Sequence, residues 1–75
     1  MYEIDFVVND KGYGVVVDTR LLAFNVYYML VGIAAERFGD WLVQLSDLDT
    51  GKIIVECDSE LWKGHYDQIP CDSRN

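Results

Sequence analysis

Cys57, His65 and Cys71 are the side chains best suited by type to metal or nucleophilic chemistry. Thiolate and imidazole both ligate zinc, and a Cys–His pair in hydrogen-bond contact makes an activated nucleophile. Their spacing argues against either role. A structural zinc site wants about four ligands, commonly with cysteines paired two to four residues apart. Here three stand at irregular intervals, and Asp58, Asp67 or Asp72 would have to complete the set. His65 lies in a polar stretch with no rigid neighbours to orient it, and catalysis needs positioned groups. Two cysteines are also too few for a disulfide framework, although a Cys57–Cys71 bridge would close a short loop. Gly12-Tyr13-Gly14 lacks the third glycine and the following helix of a phosphate cradle.

Paired carboxylates are the other chemical possibility. Asp47-Leu48-Asp49-Thr50 follows an apolar strand and resembles the paired-aspartate opening of haloacid-dehalogenase-type phosphatases. That resemblance implies Asp47 as the nucleophile and Asp49 as the acid/base. Nothing after residue 50 supplies the lysine and acidic pair such a site needs, and that fold requires a far longer chain. The same segment half-resembles a calcium loop, with Asp47, Asp49 and, at the twelfth place, Asp58. The sixth place of such a loop must be Gly for its sharp turn, and here it is Lys52. Asp47 to Gly51 reads instead as a hairpin loop, in which Asp and Thr bond their own backbone. The expectation is a non-enzymatic protein with no catalytic residue, metal or cofactor.

The carboxylates that remain are candidates for binding. Glu3 and Asp5 stand at i and i+2 on one face of a strand, ~6.6 Å apart. Glu56, Asp58 and Glu60 repeat that step on and just beyond another strand, although Asp58-Ser59-Glu60-Leu61-Trp62 also reads as one helical turn. Asp40, Asp47 and Asp49 crowd the ends of a second hairpin. In total 13 Asp and Glu face 6 Lys and Arg, for a formal net charge of −7. Such a surface repels nucleic acid and anionic membrane, both of which are recognised through Lys and Arg. The partner it favours is a larger basic protein, with carboxylates on a rigid sheet standing in for phosphates. Small size, strong acidity and no active site together resemble, in type rather than in motif, the phage-encoded inhibitors of bacterial defence such as anti-CRISPR and antirestriction proteins. That resemblance implies a nucleic-acid mimic and carries over no particular residue. The plainer expectation for the same carboxylates is an ordinary solvated face that keeps an apolar domain in solution.

These side chains need elements to hold them. The chain has 75 residues, of which 51% are apolar, enough for one small domain with a marginal core. Tyr2, Ile4, Phe6 and Val8 alternate with Glu3 and Asp5, as a half-buried strand does. Asn9-Asp10-Lys11-Gly12 reads as a type I turn with a bulge at the glycine, and Tyr13 to Val17 returns. Asp18 or Thr19 is a suitable helix N-cap, and the helix is expected to run to about Phe38 with Gly39 as a left-handed C-cap. Trp41, Val43 and Leu45 then alternate, and Ile53, Val55 and Cys57 share one face of the returning strand. The expected fold is α+β, a four-stranded antiparallel sheet in the order β-β-α-β-β with one long helix packed on it. Residues 1–61 form the expected domain and 62–75 a polar, aromatic C-terminal tail.

The helix is richer in apolar residues than one sheet requires. At 100° per residue Ala23, Phe24, Tyr27, Leu30, Val31, Ala34 and Phe38 make one wide stripe. Leu22, Val26, Met29 and Ile33 make a second, roughly 120° away. Either the sheet curls and the tail covers this stripe, or it is a surface for a partner or for self-association, which would make a homodimer. Trp62 and Tyr66 in the tail are interface anchors by type. Leu21 to Ala35 carries no charge, but as a helix it would be ~22 Å long, short of the ~30 Å hydrocarbon core. The acidic start, Met1-Tyr2-Glu3-Ile4-Asp5, lacks the basic-then-apolar pattern of a secretory signal, so a cytoplasmic location is expected.

Overall fold

The computed structural model describes residues 1–62. Four strands and one helix occupy them: β1 (Tyr2–Val8), β2 (Lys11–Val17), α1 (Arg20–Arg37), β3 (Trp41–Asp47) and β4 (Lys52–Asp58). The strands make one antiparallel sheet in the order β2-β1-β3-β4. The protein is thus α+β, with β-β-α-β-β order and a long helix on the sheet, as its patterning indicates. The α1 connection carries the chain from edge strand β2 across β1, so β1 and β3 become the two central strands.

Alternation sorts the two faces. Ile4 and Val8 of β1 and Trp41, Val43 and Leu45 of β3 are buried. Ile4 pairs with Leu45, Phe6 with Val43 and Val8 with Trp41, so these side chains share the face beneath α1. The helix meets them with Ala23, Tyr27, Val31 and Ala34, spaced by four, four and three residues. Phe24, Leu30 and Phe38, also assigned to this stripe, pack half-buried against the same cluster.

Helix α1 starts where a cap is available. Thr19 is the N-cap, and its hydroxyl accepts from the Leu22 N–H at 3.2 Å. The other end departs from expectation. The C-cap is Phe38 in an extended conformation, and Gly39 does not adopt positive φ. Phe38 donates its N–H to the Ala34 carbonyl at 3.0 Å and sets its ring edge-on to Phe6, with centroids 6.1 Å apart. Packing of Phe38 into the core ends the helix, so no left-handed residue is needed.

Both hairpins refine the sequence reading. In the first, Val8 pairs with Lys11, and the two loop residues Asn9 and Asp10 take φ of 51° and 66°. That is the type I′ geometry that matches strand twist, and it replaces the expected bulge at Gly12. In the second, Asp49 donates its N–H to the Asp47 carboxylate at 2.8 Å and Gly51 takes φ of 73°. Leu45 then pairs with Val55 but Ser46 with Ile53, so Ile54 is a bulged extra residue. The bulge corrects the facing of β4. Val55 and Cys57 pack on the core as expected, joined by Ile54, while Ile53 is turned outward and exposed.

Candidate functional site

With α1 on one face, no other element among the described residues packs on the opposite face of the sheet. Register places Glu3, Asp5 and Val7 of β1 there, beside Gly12, Gly14 and Val16 of β2, Leu42, Gln44 and Ser46 of β3, and Ile53, Glu56 and Asp58 of β4. One row across the strands reads Gly14, Asp5, Gln44, Glu56. Within it the Gln44 amide donates to the Glu56 carboxylate at 2.8 Å, which fixes that side chain on the face. Glu3 and Asp5 lean the other way. A Cβ built on Gly14 would stand 3.3 Å from a carboxylate oxygen of each, so both occupy the space that the missing side chain leaves.

Four of the eight candidate carboxylates, Glu3, Asp5, Glu56 and Asp58, therefore share one rigid surface. The others are dispersed. Asp58 ends β4 and accepts the Leu61 N–H at 2.7 Å, which starts a helical turn over residues 59–62. Glu60 sits on that turn, so the strand-like step from Glu56 through Asp58 does not continue to it. Asp47 and Asp49 are engaged in the second hairpin loop, where Asp49 also pairs with the N-terminal ammonium at 3.3 Å. Asp40 lies at the opposite end of β3, where Val7 and Leu42 of the open face join it with Asn9, Asp10 and Trp41 around a shallow open hollow. Sequence spacing did not separate Asp40 and Glu60 from the group, because their positions depend on the loop entering β3 and the helical turn leaving β4.

The second helix stripe divides. Leu22, Met29 and Ile33 are 46%, 55% and 41% exposed, and Leu21 and Tyr28 extend that surface. Val26 does not belong to it, being half-buried against the core cluster. Trp62 lies by Ala35, Phe38, Gly39 and Trp41, at the helix's C-terminal end rather than over the Leu22 to Ile33 stripe. Tyr66, His65 and Cys71 lie outside the described residues, and with them the zinc set and the Cys57–Cys71 bridge.

Two titrating groups meet under the sheet. Burial, chiefly, pushes the Tyr27 phenol up to about 12, with nearby Cys57, Tyr28 and Glu56 adding to it. Burial and then the neighbouring Asp58 push the Cys57 thiol above its ordinary value. Both shifts favour the protonated, unreactive form, the opposite of what a nucleophile needs. Asp47 and Asp49 are held as loop-forming groups rather than aimed into a pocket, and the Thr50 hydroxyl accepts from Lys52 N–H at 3.3 Å. Among the described residues no three His, Cys, Asp or Glu side chains converge as metal ligands, and no helix is long and apolar enough to cross a membrane.

No family model matches the chain, and no curated protein or solved structure shows significant similarity to it. The arrangement of its own residues is the ground for a functional reading.

Proposed function

We propose that the protein is a small acidic binding protein without enzymatic activity, docking its open sheet face on a basic, nucleic-acid-binding surface of a larger protein. The observation that supports this is the gathering of Glu3, Asp5, Glu56 and Asp58 on the sheet face opposite α1. Strands hold their Cα positions, and Gln44 and Gly14 fix where the side chains lie. A preordered anionic surface loses little conformational entropy on binding and steers a cationic partner by its field. Occupying such a surface would exclude nucleic acid, the mode of action of an anti-CRISPR-like or antirestriction-like inhibitor.

Capture from a bacterial lysate with immobilised protein, run beside the Glu3→Lys/Asp5→Lys/Glu56→Lys/Asp58→Lys variant, tests the reading. The wild type is expected to retain a basic protein that salt or competing DNA releases. The variant should lose it. Retention that ignores both the charge reversal and added DNA would sink the proposal.

The exposed Leu22, Met29 and Ile33 favour a second reading, a structural or oligomerisation subunit that associates through the helix. Light scattering of a Leu22→Glu/Met29→Glu variant separates the two, because only this second reading requires the helix face.

A further inference from the structure

The two edges of the sheet are unequal. Strand β4 is guarded in the way natural edges are, by the bulge at Ile54 and by Lys52, Glu56 and Asp58 along its length. Strand β2, Lys-Gly-Tyr-Gly-Val-Val-Val, has no bulge, no proline and no carboxylate. Tyr13 and Val16 are 55% and 51% exposed, and Val15 is exposed as well. Among the described residues nothing pairs with its outer side, where β2 is the terminal strand.

The backbone groups on that side follow from the turn. Val8 and Lys11 close a two-residue type I′ hairpin and exchange hydrogen bonds, and the pattern then alternates along the ladder. Odd-numbered residues of β2 therefore bond to β1. The Met1 carbonyl agrees with this parity, since it accepts from Leu48 N–H on the β3 side of β1. Gly12, Gly14 and Val16 are left with N–H and C=O groups directed at the free edge.

We infer that β2 is the site at which a second copy of this chain adds, antiparallel, to make a continuous eight-stranded sheet with a two-fold axis at Gly14. In that register Gly14 faces Gly14 of the second copy and Gly12 faces its Val16, so all three outward residues find partners at once. Val16 then projects over a position with no side chain. Charge bears on the direction of pairing. Lys11, the only charged residue in β2, stands at one end, and Asp18 just past the other. Antiparallel addition sets Lys11 of each copy opposite Val17 of the other, whereas parallel addition would set Lys11 against Lys11; Asp18 comes opposite Asp10 of the turn, a repulsion between exposed carboxylates at each end of the seam that salt screens. For a chain of charge −7, β2 is the strand that brings no carboxylate of its own to an interface between copies, although Glu3 and Asp5 of β1 lean toward it at Gly14. The axis stands perpendicular to the sheet, so both helices lie on one side and the two carboxylate faces become one surface on the other. The inference is independent of the proposed basic partner.

Light scattering and sedimentation across a wide concentration range are the first measurements, with twice the monomer mass expected. Glu3 and Asp5 lean toward Gly14, so their repulsion across the axis is screened by salt, and self-association should tighten from about 0.02 to 0.5 M salt. Binding of a basic partner would weaken over the same range. Val16→Pro removes one outward N–H from each copy without touching the β1 ladder, and should raise the dimer dissociation constant at least ~tenfold. Opposed residues in such a pair have Cα atoms about 5.5 Å apart, within disulfide reach. In a Cys57→Ser/Cys71→Ser background, Gly14→Cys should thus cross-link to itself on mild oxidation, and Gly12→Cys should not. A monomer at every concentration overturns the inference. So does a dimer that withstands a folded Val16→Pro but is lost in Leu22→Glu/Met29→Glu. If Val16→Pro fails to fold, the Gly14→Cys result decides, and absence of cross-linking overturns it.

Discussion

Tyr27 brings a phenol into the core, where it is only 5% exposed, and the hydroxyl titrates at about 12 rather than near 10. Burial is the main cause, because desolvation opposes the phenolate, and Cys57, Tyr28 and Glu56 add to it. The folded state consequently holds the Tyr27 proton more tightly than the unfolded chain does. This contribution to stability is fully present below about pH 10 and is lost as pH rises through about 12, since over that window the folded state binds more protons. Its size is on the order of 2–3 kcal/mol. Urea unfolding midpoints measured from pH 8 to 12 should fall steeply for the wild type. Tyr27→Phe should flatten the decline while leaving the pH 8 unfolding free energy within about 1 kcal/mol of the wild type, and an unchanged slope would contradict the assignment. Cys57 packs half-buried against the same core, and its thiol is also pushed up, which disfavours the reactive thiolate.

At the scale of elements, the first hairpin is a place where the chain departs from the most favourable local chemistry. Asp10 takes φ of 66°, a left-handed conformation that costs an L-residue free energy and a glycine almost none. Asp10→Gly creates the Asn-Gly pair that type I′ turns prefer, and it should raise stability by roughly 0.5 kcal/mol or more. Asp10→Ala should lower it. Asp10→Asn separates charge from conformation, because it removes the carboxylate and keeps a residue that tolerates this region. The shift should appear in the denaturant midpoint at unchanged slope. Alternation and helical periodicity made the element order and the core stripe of α1 legible, since each side chain's facing follows from a period of 2.0 or 3.6. Other features were hidden for identifiable reasons. Ile53 and Ile54 are adjacent and identical, so nothing local tells which faces the core, and the bulge is set by pairing with Ser46 and Leu45. Gly39 offers a cap that goes unused because Phe38 gains more by packing on Phe6. The gathering of Glu3 and Asp5 with Glu56 and Asp58 depends on the order β2-β1-β3-β4, a long-range property that no local window contains.

For the molecule as a whole, the carboxylate face should cost stability, and that cost can be measured apart from any partner. Like charges on one small domain repel, and the repulsion is relieved when the chain expands. The combined variant Glu3→Gln/Asp5→Asn/Glu56→Gln/Asp58→Asn changes the formal charge from −7 to −3, one unit for each of four carboxylates. The amides keep the shape and the hydrogen-bonding roles. A side-chain carbonyl remains at position 56 to accept from Gln44, and another remains at position 58 to accept the Leu61 N–H. The variant should therefore melt higher than the wild type at low salt. The gain should shrink as ionic strength rises toward about 0.5 M, where the Debye length falls to a few ångströms. Solvation alone would also place strand carboxylates on this side, because α1 covers the other, so what marks a binding face is a loss of stability tolerated for what it recognises. Paired melting curves and capture experiments on this one variant bear on that distinction. Higher melting temperature together with a lost basic partner is the expected combination. Unchanged melting at low salt would mean that the four carboxylates do not act as a cluster, and it would remove the physical basis for reading them as one surface.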